Sequence, residues 1–196
     1  MSAEIPTRIV CISGFTQTLA RPTGIEKLWM KLRQFESPEC RVSILEWDSN
    51  WESFAEHCFR TANGSRKDFS ALICAYSWGV GYGFLKLANE FKKRGLKVPY
   101  AVLCDGVYHS GVFPWRAVMS PFWKPKIKIP SNVGEVWWFR QFENKPAGHD
   151  LVAEDHKSTN INDPKILDVH HAWCDDSHWF HTQSVSAAKS LLENKI

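Results

Sequence analysis

The chain has 196 residues, with 24 Lys and Arg against 21 Asp and Glu for a formal charge of +3; it is long enough for one well-cored domain and far less basic than a dedicated phosphate-backbone binder. No apolar stretch approaches the roughly 20 residues of a membrane span, and "MSAEIPTRIV" lacks the basic-then-apolar pattern of a secretory signal. A soluble, cytoplasmic protein with no nucleic-acid partner and no membrane span is expected, and its ten Trp and twelve Phe must fill a core or line a pocket.

The first apolar run, "RIVCIS" (8–13), is short and rich in β-branched residues, as suits a strand buried on both faces. Thr23 and Glu26 then form a capping-box signature opening a helix with Ile25, Leu28, Leu32 and Phe35 on one face. "RVSILEW" (41–47) reads as a second strand, and Ser49 with Glu52 as the cap of a second helix whose Phe54 and Cys58 face inward. "SALICAY" (70–76) is the third strand, followed by a helix from about Trp78 to the stop at Gly95, and "YAVLCDG" (100–106) is the fourth.

The interval 107–133 breaks the alternation with a density of Pro, Trp and Phe, and reads as a lid loop with a short helix near 115–120. Within it "KPKIKIP" (124–130) reads as a solvated loop. "EVWWFRQF" (135–142) and "KILDVH" (165–170) are further strands, and a last helix, roughly 178–194, carries Phe180, Ala187, Ala188 and Leu191 on one stripe. Cys11, Cys74 and Cys104 fall in predicted buried strands, where free thiols act as small apolar groups, so reduced cysteines are expected.

Strand and helix alternate without repeats, which implies one α/β domain over 1–196: a three-layer sandwich with a mostly parallel sheet of about six strands and helices on both faces. Ligands of such sheets bind at the carboxyl ends of the strands. Ser77, Asp105 and the pair His170 and His171 each lie just beyond a predicted strand end.

Ala75-Tyr76-Ser77-Trp78-Gly79 has the form small-x-Ser-x-small between a strand and a helix. A sharp turn there brings the flanking residues against neighbouring strands, so large side chains clash. In this stretch the chain resembles the α/β-hydrolase superfamily, in particular its short lipase-, esterase- and thioesterase-like members without a large cap. The resemblance covers most of the chain and implies the α/β-hydrolase fold, a nucleophile elbow at Ser77, and an oxyanion loop in "ISGFTQT".

It further implies a late histidine loop in "HHAWCDDSHWFHT", from which His171 is preferred to His170; His181, inside the helix, reads as a surface residue. For the acid the family offers two patterns, one selecting Asp105 and the other Glu143 or Asp150; Asp105 is preferred because it ends a strand. Backbone N–H groups of Phe15 and Trp78 are the expected oxyanion donors, with Thr16 or Gln17 able to add a side-chain donor. Phe113, Trp115, Phe122 and Trp123 are candidates to line an acyl pocket.

The resulting expectation is a serine hydrolase acting on a small-molecule carboxylic ester or thioester through an acyl-enzyme, with no cofactor and no metal. Two other readings stand beside it: a noncatalytic binding protein on the same scaffold, and a metal protein using the His-, Cys- and Asp-rich 170–181 segment, whose ligand types suit zinc but whose spacing matches no zinc pattern.

Overall fold

The computed structural model describes residues 6–15, 22–62, 69–108 and 125–193. Its main sheet is built from β1 (Thr7–Ile12), β2 (Cys40–Leu45), β3 (Ser70–Tyr76), β4 (Lys97–Cys104), β6 (Val133–Arg140), β8 (Asn160–Ile161) and β9 (Lys165–Ile166). The strands lie in the order β2-β1-β3-β4-β6-β8, with β9 also pairing β6, and every pair is parallel. β5 (Ile127–Ile129) and β7 (Leu151–Ala153) form a separate parallel pair.

Strand alternation divides the core in two. Ile9, Cys11, Leu72, Cys74, Val102 and Cys104 pack beneath α1 (Gly24–Leu32) and α4 (His178–Glu193), whose Ile25, Leu28, Leu32, Phe180, Ala187, Ala188 and Leu191 are all buried. Val10, Ile12, Ala71, Ile73, Ala101 and Leu103 face the other way, against α2 (Trp51–Thr61) and α3 (Leu85–Lys93). The chain is thus the expected three-layer α/β sandwich on a parallel sheet.

Local signals explain most element ends. The Thr23–Glu26 capping box is formed in both directions, while the second helix is capped by Asn50, whose side chain accepts from Ser53 N–H, rather than by Ser49. Both residue types cap well, and the chain uses the later one. Gly95 ends α3 at φ 70°.

Further expectations are corrected. "KPKIKIP" is not a solvated loop, because β5 buries Ile127 and Ile129 within it. "KILDVH" supplies only the two-residue β9, so His170 does not finish a strand but precedes the 3-10 segment His171–Asp176. His181 is buried inside α4's packed face rather than on the surface. Of the lid expected over 107–133, residues 127–129 are instead the buried strand β5 and Val133 opens β6, while 109–124, with the helix expected near 115–120, lie outside the described residues.

The chain leaves β1 for β2 on one side and returns to β3 on the other, so the carboxyl ends of β1 and β3 flank a switch point in strand order. In parallel α/β sheets this is where ligands gather. Phe15 follows β1 there and Ser77 follows β3.

Candidate active site

β3 stays in register with β4 through Tyr76 and Cys104, which puts Ser77 immediately past the sheet edge. Its backbone turns into the left-handed region at φ 55°. The turn is fully tied down: Ser77 N–H donates to Cys104 O at 3.0 Å, and its carbonyl accepts from the N–H groups of Val80, Gly81 and Val107 at 3.0, 3.1 and 3.1 Å. The small residues after it are required by proximity, since a Cβ on Gly79 would lie 2.5 Å from Ser13 O and one on Gly81 only 1.8 Å from Val107 O. A π-helical turn, Gly79–Phe84, then leads into α3.

Ser77 is 5 % exposed, more enclosed than a serine at an open turn. Its Oγ lies 2.9 Å from His171 Nε2. The other ring nitrogen, Nδ1, lies 2.6 Å from Asp105 Oδ2. Ser77, His171 and Asp105, from three segments distant in sequence, therefore form one continuous hydrogen-bonded line.

Asp105 follows β4 and also has a left-handed backbone, φ 43°. It is fully buried, and besides His171 it accepts from Gln141 N–H, Gln141 Nε2 and Gly148 N–H at 3.3, 3.0 and 2.8 Å. Four nitrogen donors surround the carboxylate in place of water, with the Cys174 thiol at 3.9 Å from Oδ2. The two alternative acids lie elsewhere: Glu143 is exposed, and Asp150 pairs with Arg140. His170 is exposed one residue before the ring that reaches Ser77.

His171 is fixed through its main chain as well. Its N–H donates to Asn144 Oδ1 at 2.7 Å, and its carbonyl accepts from Tyr76 OH at 2.6 Å. Burial pushes the Tyr76 phenol far above its ordinary range, helped by the nearby Asp175 carboxylate, so the hydroxyl remains a donor. The following residues anchor the segment to α1: Asp175 Oδ2 accepts Ile25 N–H at 3.0 Å, and Asp176 meets Lys27 Nζ at 2.5 Å. A carboxylate at a helix N-terminus is favoured by the helix dipole.

The remaining members of the 170–181 segment are engaged separately. Cys174 is buried with its thiol toward His170 O, His178 meets Thr182, and His181 lies between Lys31 Nζ at 2.9 Å and Asp175 O at 2.8 Å. Burial lowers the His181 pKa, keeping the ring neutral, with Nδ1 accepting from Lys31 and Nε2–H donating to Asp175. Among the described residues no three His, Cys, Asp or Glu side chains converge in a geometry that holds a metal ion.

Beside Ser77 lies an aromatic cluster drawn from the ends of β1, β2 and β3. The Phe15 and Trp78 rings stack at 4.3 Å, Trp47 meets them edge-on at 6.0 and 5.0 Å, and Tyr82 meets Trp47 at 5.7 Å. Phe15 is about half exposed, at 52 %. The stack ties the loop after β1 to the turn after Ser77, the two segments that carry the expected oxyanion donors. A Cβ on Gly14 would lie 3.0 Å from Ser77 Cβ, so that loop runs directly against the serine. Thr16, Gln17, Phe113, Trp115, Phe122 and Trp123 lie outside the described residues.

Sequence reasoning missed Trp47, Gln141, Asn144 and Asp175. Trp47 was legible as the aromatic end of a strand run. Gln141 and Asn144 follow β6 in no recognisable motif, and Asp175 shows its role only through contact with α1, 150 residues away.

No protein-family model and no curated protein matches the chain. Among solved structures it is similar to the Vlm2 thioesterase domain, determined with genetically encoded 2,3-diaminopropionic acid and bound with a dodecadepsipeptide, at 12 % identity and a TM-score of 0.40 over 96 % of this chain and 94 % of that one.

Proposed function

We propose that the chain is a serine hydrolase of α/β-hydrolase type that cleaves a carboxylic ester or thioester through an acyl-enzyme. The observation that carries this reading is the line Ser77 Oγ, His171 Nε2, His171 Nδ1 and Asp105 Oδ2, with steps of 2.9 and 2.6 Å across the two hydrogen bonds. A serine hydroxyl is a weak nucleophile until a base takes its proton, and imidazole is the side chain whose ordinary pKa suits that at neutral pH.

In the proposed reaction His171 Nε2 accepts the Ser77 proton as Oγ attacks the carbonyl carbon. Asp105 holds the proton on Nδ1, which leaves Nε2 as the acceptor, and stabilises the imidazolium once it forms. The developing oxyanion is taken by the backbone N–H groups of Phe15 and Trp78, each contributing on the order of 3 kcal/mol to the transition state. His171 returns its proton to the departing alkoxide or thiolate. Water activated by the same ring then attacks the acyl-enzyme, and Ser77 leaves with its hydrogen restored.

The strained conformation of Ser77 supports the same reading. A non-glycine residue at positive φ costs of the order of 1–3 kcal/mol and persists where the surroundings impose it. Here the imposed geometry aims Oγ at the imidazole.

The test is labelling by a serine-directed fluorophosphonate, read by mass spectrometry at Ser77. The protein should label and Ser77→Ala should not. Absence of labelling in the folded protein would refute the hydrolase reading and favour a binding role for the scaffold.

A further inference from the structure

The loop after β6 is organised around one side-chain amide. Gln141 is fully buried, and its Nε2 lies 3.0 Å from Asp105 Oδ2, 3.0 Å from Asn144 O and 2.9 Å from Pro146 O. Its Oε1 accepts Asn144 N–H at 2.9 Å. A flipped amide would face three oxygens with an oxygen and an N–H with an NH₂, so only one orientation satisfies the site.

The same loop holds both partners of the imidazole line. Gly148 N–H donates to Asp105 Oδ1 at 2.8 Å, an approach that only glycine allows because a Cβ there would lie 2.4 Å from that oxygen. Asn144, whose main chain is bound at both N–H and C=O by the Gln141 amide, offers Oδ1 to His171 N–H at 2.7 Å. Asp105 and His171 are 66 residues apart in sequence but are referenced to one set of backbone atoms.

We infer that Gln141 is a positioning residue, whose amide orients the Asp105 carboxylate directly and seats His171 through Asn144. The inference rests on the serine-hydrolase reading of this site. Gln141 touches no reacting atom; it acts by keeping the carboxylate and the imidazole at a fixed separation, where a misplacement of about 1 Å can cost on the order of 100-fold in rate.

Gln141→Glu tests the donor function at constant shape. Gln141 faces the Asp105 carboxylate, and the titratable groups gathered at that carboxylate are His171 and Cys174 on the 3-10 segment and Cys104 at the end of β4, with the Tyr76 hydroxyl on the His171 carbonyl; Arg140 bonds Gly148 O and Asp150. Two buried carboxylates in contact share one proton until pH rises well above the ordinary carboxylate range. While that proton is held, the new side chain still donates to Asp105; once it is lost, donor and geometry go together.

The readout is the rate of fluorophosphonate labelling at Ser77 between about pH 6 and 8.5, which needs no knowledge of the substrate and depends on His171 as base. The ratio of the Gln141→Glu rate to the wild-type rate should fall by about tenfold or more as pH rises through that range. A ratio independent of pH would overturn the inference.

A second pair covers the case in which that variant does not fold. Asn144→Ala removes the acceptor for His171 N–H and should slow labelling about tenfold, while Asn144→Asp, which keeps the oxygen, should restore most of it. Equal rates in the two Asn144 variants would overturn the inference. Wild-type protein that fails to label at Ser77 would sink the hydrolase reading and the inference with it; labelling in wild type with unresponsive variants would sink the inference alone.

Discussion

Ser77 and Asp105 occupy equivalent places on neighbouring strands, each one residue past the last sheet residue, and both have a left-handed backbone, at φ 55° and 43°. They are the two non-glycine residues with positive φ among those described. The turn of the first is bonded to the strand of the second, since Ser77 N–H donates to Cys104 O. Strain at two adjacent strand ends is how a parallel sheet directs a hydroxyl and a carboxylate at one imidazole from opposite sides.

Ser77→Gly should therefore separate stability from activity. Glycine adopts positive φ freely, so relief of strain should offset the lost hydrogen bond and raise the melting temperature by a few degrees, about 1 kcal/mol. Ester hydrolysis should fall by on the order of 1,000-fold or more in both Ser77→Gly and Ser77→Ala. Circular dichroism and p-nitrophenyl ester turnover check the two halves, and unimpaired turnover in either variant would remove Ser77 from the proposed chemistry.

Asp105→Asn should lower turnover by roughly 10,000-fold, because the amide no longer holds the imidazole in the tautomer that leaves Nε2 free. Asp150→Asn should leave turnover within about threefold, since Asp150 is largely exposed, at 57 %, and pairs with Arg140. Kinetics of the two variants, measured side by side, decide between the acids.

His181 should make stability fall on the acid side of neutrality. Its folded pKa is lowered, chiefly by burial, so the folded and unfolded chains both hold it neutral above about pH 6.5. Below that value the unfolded chain takes up a proton that the folded chain resists, and stability is lost progressively as pH falls. Urea midpoints from about pH 7.5 down to 5 should show this slope, and His181→Gln should flatten it.

Asp175→Ala should cost about 1–3 kcal/mol, because it leaves Ile25 N–H, at the start of α1, without its buried acceptor. The same change should slow Ser77 labelling, since Asp175 anchors the segment that carries His171 to that helix. A destabilised variant with unaltered labelling would confine Asp175 to a folding role.

Trp123→Ala tests the part of the expected lid that lies outside the described residues, 109–124: it should impair long acyl esters more than acetyl esters, by about 0.8 kcal/mol for each methylene no longer buried. A uniform loss across chain lengths would mark Trp123 as a packing residue.

The first four strands, the strand-to-helix turn at Ser77 and the helix stripes were legible because each follows from local periodicity and small-residue spacing. Thr23 and Glu26 announced their helix for the same reason, as did the stripe Phe180, Ala187, Ala188 and Leu191. His181 was not legible: its neutrality depends on Lys31 and Asp175, brought together only by packing. Nor were β5 and β8, whose two or three residues carry too short an alternation to separate from loop. Gln141 reaches Asp105 from 36 residues away and otherwise bonds main-chain atoms, as Asn144 does, and main-chain recognition leaves no mark in residue type.

All six cysteines are buried thiols outside any disulfide, distributed over β1, β2, α2, β3, β4 and the segment that carries His171. None offers sulfur to solvent in the folded chain, so a thiol-modifying reagent can react only when a part of the molecule opens. The six sulfurs are thus built-in clocks, each timing the opening of its own layer. Cys174 times the segment beside Asp105, and its rate of modification, set against that of Cys74 in the central strand, measures whether the histidine loop breathes independently of the sheet that it serves.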